Sequence, residues 1–257
     1  MKICLAQYDI CWENKKENMD ICEQLFESAA ENRADLIVFP ELSLTGFSMD
    51  MSLAESSDGD TSAFFSECAE RYGAACVFGY AERIGDELHN RLAYADKQGQ
   101  IQARYSKMHP FTYGGEIFAK GGSPVCFCID DMYIGLTICY DLRFPELYQE
   151  LSKSCGCIIV SASWPKSRRE HWLTLLRARA IENQCYIIGC NRTGNGDGIE
   201  YCGDSVVFSP DGLLVADGAD RCGIVLCEIS GQTVSEIRKA FPLKQDRRPV
   251  MYKNFYE

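Results

Sequence analysis

Short apolar, β-rich runs alternate with segments of helical periodicity along the chain, and no Pro/Gly/Ser-rich linker or low-complexity stretch separates them. Such a pattern hides its apolar faces only by stacking helices on sheets, which restricts the chain to a layered α/β fold. Residues 2–8, 35–40, 74–80, 157–161 and 185–190 read as strands, and 201–229 supplies three more. Helices are expected over 18–32, where Met19, Cys22, Leu25, Phe26 and Ala29 fall at helical spacing, and over 61–72, 168–183 and 233–240. Asp96-Lys-Gln-Gly99 joins a strand pair at 91–95 and 100–105, and Ser209-Pro-Asp-Gly212 reads as another turn. Hairpins make the sheets mixed and too numerous for one parallel array, so two sheets face to face are expected in one domain over residues 1–257.

At 257 residues and 46% apolar composition the chain can bury a sizeable core. A net charge of −11 argues against a nucleic-acid or anionic-membrane partner, because both require clustered positive charge. The opening Met-Lys-Ile-Cys-Leu-Ala-Gln turns polar too soon for a secretory segment, so a soluble cytoplasmic protein is expected. Fifteen cysteines are an odd number, and a chain this long needs no disulfide framework; free thiols in a reducing compartment fit better. Cys126/Cys128 and Cys155/Cys157 are separated by one residue, which suits alternation along a strand rather than a zinc site, and no metal is expected.

Cys139 closes the apolar run Tyr133-Ile-Gly-Leu-Thr-Ile-Cys139, and a turn with a helix start at Pro145 follows it. A thiol there meets free backbone N–H groups and a helix dipole, both of which favour thiolate. Taken alone, it is one cysteine among fifteen. A tetrapeptide recurs as Phe39-Pro-Glu-Leu42 and Phe144-Pro-Glu-Leu147, open to two readings: related halves about a pseudo-dyad, or chance. Glu41 stands at a strand tip, where α/β proteins gather reacting groups, whereas Glu146 sits in a first helical turn, where the dipole accounts for a carboxylate. Lys107 lies in the polar turn Tyr105-Ser-Lys-Met-His-Pro110 and by itself reads as a solvated lysine. His89, His109 and His171 are the histidines open to a Cys/His scheme; His109 is nearest the candidate site and reads as a loop-shaping residue.

Together, Phe39-Pro-Glu41, Lys107-Met-His109 and Cys139-Tyr-Asp-Leu-Arg-Phe-Pro-Glu146 resemble the nitrilase superfamily of carbon-nitrogen hydrolases. The resemblance continues through Arg177-Ala-Arg-Ala-Ile-Glu-Asn183, Gly203-Asp-Ser205 and Pro210-Asp-Gly212 to Asp246-Arg-Arg-Pro-Val-Met-Tyr252. It implies a four-layer α-β-β-α sandwich with two mixed sheets, a homodimer and no cofactor. It also implies Glu41 as general base, Lys107 as stabiliser of the tetrahedral intermediate, Cys139 as nucleophile and Glu116, in Gly114-Gly-Glu116, as an orienting second glutamate. The chemistry demands such a set: an amide carbon is a poor electrophile, so attack requires a nucleophile, a proton acceptor and compensation for the oxyanion. Tyr140 would add its backbone N–H, Arg143 could hold an anionic end or brace the turn, and Trp164 would wall the pocket. Ser163-Trp-Pro165 and the stretch 168–172 look most like the ω-amidase branch, which deamidates 2-oxo-dicarboxylate monoamides. An N-carbamoyl or other small-amide hydrolase of the same superfamily, and a non-catalytic thiol-rich binding or redox protein, are the alternatives.

Overall fold

Period-two burial along the strands sorts their side chains onto two different cores. In β1 (Lys2–Gln7), Ile3 and Leu5 enter one apolar cluster while Cys4 and Ala6 enter another. β8 (Cys157–Ala162) does the same, with Cys157 and Ile159 on one side and Ile158 and Val160 on the other. Strands buried on both faces need cover on both faces, and this settles the layering.

The computed structural model describes residues 1–255. Between β1 and β8 the chain forms α1 (Lys15–Glu31), β2 (Leu36–Val38), α2 (Asp60–Tyr72), β3 (Ala75–Ile84), β4 (Glu87–Ala95), β5 (Ile101–Ser106), β6 (Val125–Ile129), β7 (Met132–Ile138) and α3 (Pro145–Leu151). After β8 come α4 (Arg169–Asn183), β9 (Tyr186–Asn191), β10 (Thr193–Gly196), β11 (Ile199–Cys202), β12 (Val206–Phe208), β13 (Leu214–Asp217), β14 (Gly223–Glu228), α5 (Gly231–Ala240) and α6 (Pro249–Lys253). Two six-stranded mixed sheets result, ordered β14-β1-β2-β3-β4-β5 and β13-β12-β9-β8-β7-β6. Leu5, Val38 and Val77 of the first meet Leu136, Ile159 and Ile188 of the second in the central layer. Phe26 and Phe65 of α1 and α2 cover the outer face of the first sheet, and Trp172 and Leu176 of α4 cover that of the second. The expected four-layer α-β-β-α sandwich is what forms.

The two sheets share one plan. Strands β1, β2 and β3 run parallel, β4 and β5 continue antiparallel, and β14 flanks β1 antiparallel. In the second sheet β7, β8 and β9 run parallel, β12 and β13 continue antiparallel, and β6 flanks β7 antiparallel. Matching the plans pairs β1 with β7 and β2 with β8. The tetrapeptide does not follow this relation: Phe39-Pro-Glu-Leu42 comes after β2, but Phe144-Pro-Glu-Leu147 comes after β7. The halves are related in topology, and the two copies of the tetrapeptide stand at non-equivalent places in them.

The hairpin β10–β11 was not anticipated, since Thr193-Gly-Asn-Gly196 carries no apolar alternation. The cysteines differ widely in exposure. Nine of the fifteen are buried, but Cys126, Cys128 and Cys222 are exposed. Cys126 and Cys128 stand two apart on β6, an edge strand whose outer side meets solvent. Among the described residues no helix is long and apolar enough to cross a membrane.

Candidate active site

Strand tips of both sheets converge at one place. β2 runs out into Phe39-Pro40-Glu41, β5 into Lys107, β7 into Cys139 and β8 into Ser163. Ser161 Oγ donates to the Phe39 carbonyl at 2.8 Å, bonding one sheet to the other beside the site. A Cβ at Gly79 would stand 2.6 Å from the Leu42 nitrogen, so glycine is needed for the Glu41 segment to lie against β3. Gly121 plays the same part for the loop after Lys107, donating its N–H to the Lys107 carbonyl at 2.8 Å.

Glu41 is fully buried, and three donors reach its two oxygens. Lys107 Nζ and Asn90 Nδ2 donate to Oε1 at 2.8 Å each, and the Ser163 backbone N–H donates to Oε2 at 2.9 Å. Lys107, equally buried, also donates to Glu116 Oε2 at 2.9 Å and Oε1 at 3.1 Å. Burial opposes the ammonium charge, but Glu41 and Glu116 outweigh it and hold Lys107 above its ordinary range. Burial pushes the Glu116 carboxyl up, Lys107 pulls it down and the Glu41 charge adds to the rise, leaving it above the usual carboxylate value. Lys107 therefore is not the solvated turn lysine its local sequence suggests.

Cys139 opens a three-ten turn, Cys139–Arg143, with φ of +44°. A left-handed conformation in a residue with a Cβ costs on the order of 1–2 kcal/mol and must be held by its surroundings. Asp141 holds it. This fully buried carboxylate accepts the Ile138 N–H at 2.9 Å, the His109 N–H at 3.0 Å and the Tyr105 hydroxyl at 2.7 Å, tying the Cys139 turn to the end of β5. The thiolate expected from the helix-start position is not favoured: burial, reinforced by the adjacent Glu41 charge, raises the Cys139 thiol well above its ordinary value, and Lys107 only partly offsets this. Burial and the neighbouring carboxylate together outweigh the weak dipole of a short turn.

Cys139 and Lys107 line a cavity of about 380 Å³, within the range of small-molecule sites. Tyr140, Arg143 and Trp164, each singled out in the sequence, line it as well. The Arg143 guanidinium stands 4.7 Å from the Trp164 ring and 5.8 Å from that of Tyr140. Glu116 stands behind Lys107 and does not line the cavity. Sequence reasoning did not pick out Asn90, Asp141, Phe47, Phe111 or Tyr201, and it read Arg168 only as the start of the stretch 168–172, with no role in the site. Asn90 had a readable signal, a polar residue at an inward position of a strand; Phe47 arrives from a loop and Tyr201 from the hairpin strand β11, and neither had one.

His109 Nδ1 lies 2.8 Å from Asp141 Oδ1, and its ring stacks on Phe144 at 3.8 Å, so it shapes the loop as expected. His171 faces Arg143, and His89 lies within β4 beside Glu87. Among the described residues no histidine bonds Cys139, and no group of His, Cys, Asp and Glu is arranged to hold a metal ion.

A family model described as carbon-nitrogen hydrolase matches residues 2–239. The chain belongs to the carbon-nitrogen hydrolase family. This carbon-nitrogen hydrolase is 36% identical to the 2-oxoglutaramate amidase of Bacillus subtilis, covering 97% of its own length and 98% of the relative's. It is 32% identical to omega-amidase YafV of Escherichia coli, covering 96% of each. The crystal structure of XC1258 from Xanthomonas campestris, a superfamily protein with an arsenic adduct in its active site, matches with a TM-score of 0.91 and 32% identity. That match covers 96% of this hydrolase and 97% of XC1258.

Proposed function

We propose that this carbon-nitrogen hydrolase is an ω-amidase that converts a 2-oxo-dicarboxylate monoamide, 2-oxoglutaramate or 2-oxosuccinamate, to the 2-oxo-dicarboxylate and ammonia. The observation that carries the reaction is the buried Glu41–Lys107–Glu116 cluster beside Cys139, at a cavity sized for a small amide. Relatives bearing 2-oxoglutaramate amidase and omega-amidase names at 36% and 32% identity support the choice of substrate.

With the thiol held neutral, proton removal and attack go together: Glu41 takes the Cys139 proton as the sulfur bonds the amide carbon. The Lys107 ammonium and the Tyr140 N–H receive the oxyanion. Protonated Glu41 returns its proton to the amide nitrogen, the C–N bond breaks and ammonia leaves a thioester. Glu41 then deprotonates water, whose oxygen bonds the acyl carbon. The C–S bond breaks, and the proton on Glu41 restores the thiol. Glu116 positions Lys107, Arg143 takes the substrate carboxylate and Trp164 walls the chain.

Assaying 2-oxoglutaramate, succinamate, a nitrile and an N-carbamoyl amino acid side by side tests the reading. The 2-oxo amide should be turned over fastest, and a clear preference for the nitrile or the carbamoyl compound would sink the assignment. A homodimer, a single domain and a cytoplasmic setting belong to the same reading, resting on the family resemblance; sedimentation at the mass of one chain would remove the dimer.

A further inference from the structure

Two consecutive arginines meet opposite surroundings. Arg169 donates to Asp204 with Nε at 2.7 Å and Nη2 at 2.8 Å, a two-pronged ion pair outside the cavity. Arg168 instead lines the cavity, with its guanidinium 5.5 Å from the Phe111 ring, and no carboxylate among the described residues pairs with it. Arg143 is in the same condition: its neighbours are the rings of Trp164 and Tyr140 and, at 3.4 Å, His171 Nδ1. Among the described residues Arg71, Arg91, Arg179 and Arg192 each pair with Asp or Glu, whereas neither of the two cations on the cavity does.

Two like charges on one small, largely aromatic cavity destabilise each other unless an anion joins them. Burial already depresses the Arg143 guanidinium, and Arg168 adds to this by repulsion. Both cations are also anchored. Arg143 ends the turn that Cys139 begins, and the Arg168 carbonyl accepts Trp164 Nε1 at 2.8 Å, so the indole spaces one arginine from the other. The aromatic faces beneath them limit water while leaving the guanidinium donors open.

We infer that Arg168 is a second carboxylate-binding residue of this site and that, with Arg143, it selects amides bearing a 2-oxo carboxylate at the end remote from Cys139. A 2-oxo carboxylate presents the two carboxylate oxygens and the keto oxygen as one acceptor array. That exceeds what a single guanidinium fork satisfies and suits two of them. Arg168 moves no proton; it determines which amide is held.

The inference rests on the ω-amidase reading, and the test separates the two. Wild type, Arg168→Gln and Arg168→Lys are assayed on 2-oxoglutaramate, on glutaramate, which lacks the keto oxygen, and on uncharged pentanamide. Loss of charge-assisted hydrogen bonds should raise KM of Arg168→Gln for 2-oxoglutaramate about 30-fold, with kcat changed by less than about threefold. The rise should be smaller for glutaramate, kcat/KM for pentanamide should stay within about twofold, and Arg168→Lys should recover part of the loss. Equal losses on all three amides would show that Arg168 only supports the fold. An unchanged KM for 2-oxoglutaramate would also overturn the inference. If Arg168→Gln does not fold, Arg168→Lys decides by the same KM ratio between charged and uncharged amides. Wild type that hydrolyses none of the three would instead remove the ω-amidase reading, and the inference with it.

Discussion

Phe39-Pro-Glu-Leu42 and Phe144-Pro-Glu-Leu147 are identical in sequence, yet their glutamates differ in every property that makes a carboxylate reactive. Glu41 has no exposed surface, and its donors come from β4, from the end of β5 and from the tip of β8 across the sheet interface. Glu146 is exposed in the first turn of α3, behind Pro145 at the first helical position, where the dipole stabilises a carboxylate without assigning it any chemistry. The phenylalanines diverge too. Phe39 packs on Phe65 at 4.8 Å in the outer core, whereas Phe144 stacks on His109. None of the donors to Glu41 belongs to its tetrapeptide. Reactivity is conferred by what the fold brings to the motif.

The sharpest way to break this contrast is Glu41→Gln, which should lower amide turnover by about 10³–10⁴-fold through loss of the base. The same substitution removes the negative charge that helps to raise the Cys139 thiol, so the pH midpoint of its alkylation by iodoacetamide should move down while hydrolysis collapses. Near-normal turnover would erase the distinction between the two glutamates. Next in size is Lys107→Met. Loss of an oxyanion donor should cost about a hundredfold or more in kcat. Leaving Glu41 and Glu116 buried without their cation should also lower stability by about 3–5 kcal/mol in urea unfolding at neutral pH.

Glu116→Gln probes the shell around Glu41 more gently. Glu116 holds its proton more tightly folded than unfolded, so its contribution to stability is complete below the ordinary carboxylate range. That contribution fades as pH rises through the raised folded value. Replacing it should flatten the difference in urea midpoint between about pH 4 and about pH 7. An unflattened curve would mean that the carboxyl is not raised. The smallest effect belongs to the other tetrapeptide: Glu146→Gln should leave kcat/KM within about twofold and cost about 0.3–1 kcal/mol of stability, the scale of one helix-start charge.

The layered architecture was legible because the central strands alternate between two buried faces, as Ile3, Cys4, Leu5 and Ala6 do. Cys139, Glu41 and Lys107 were legible as motifs ending strands. Other features depended on distance in space. Nothing near Lys107 in the chain announces that Glu41, 66 residues earlier, will neutralise it. The direction of the Cys139 shift was misread because a helix start can be seen in the sequence while burial of the thiol beside the Glu41 carboxylate cannot. Asn90 and Asp141 were passed over since each acts by holding other residues, a role visible only in the hydrogen bonds they make.

The bond from Ser161 to Phe39 and that from Ser163 to Glu41 both cross between the sheets, so the base acquires its full set of partners only after the two halves have docked. In a refolding chain, either half can complete its own strand pairing while the site is still absent. The return of turnover is therefore a clock for the last stage of assembly, and its lag behind the recovery of secondary structure measures how long the halves take to find each other.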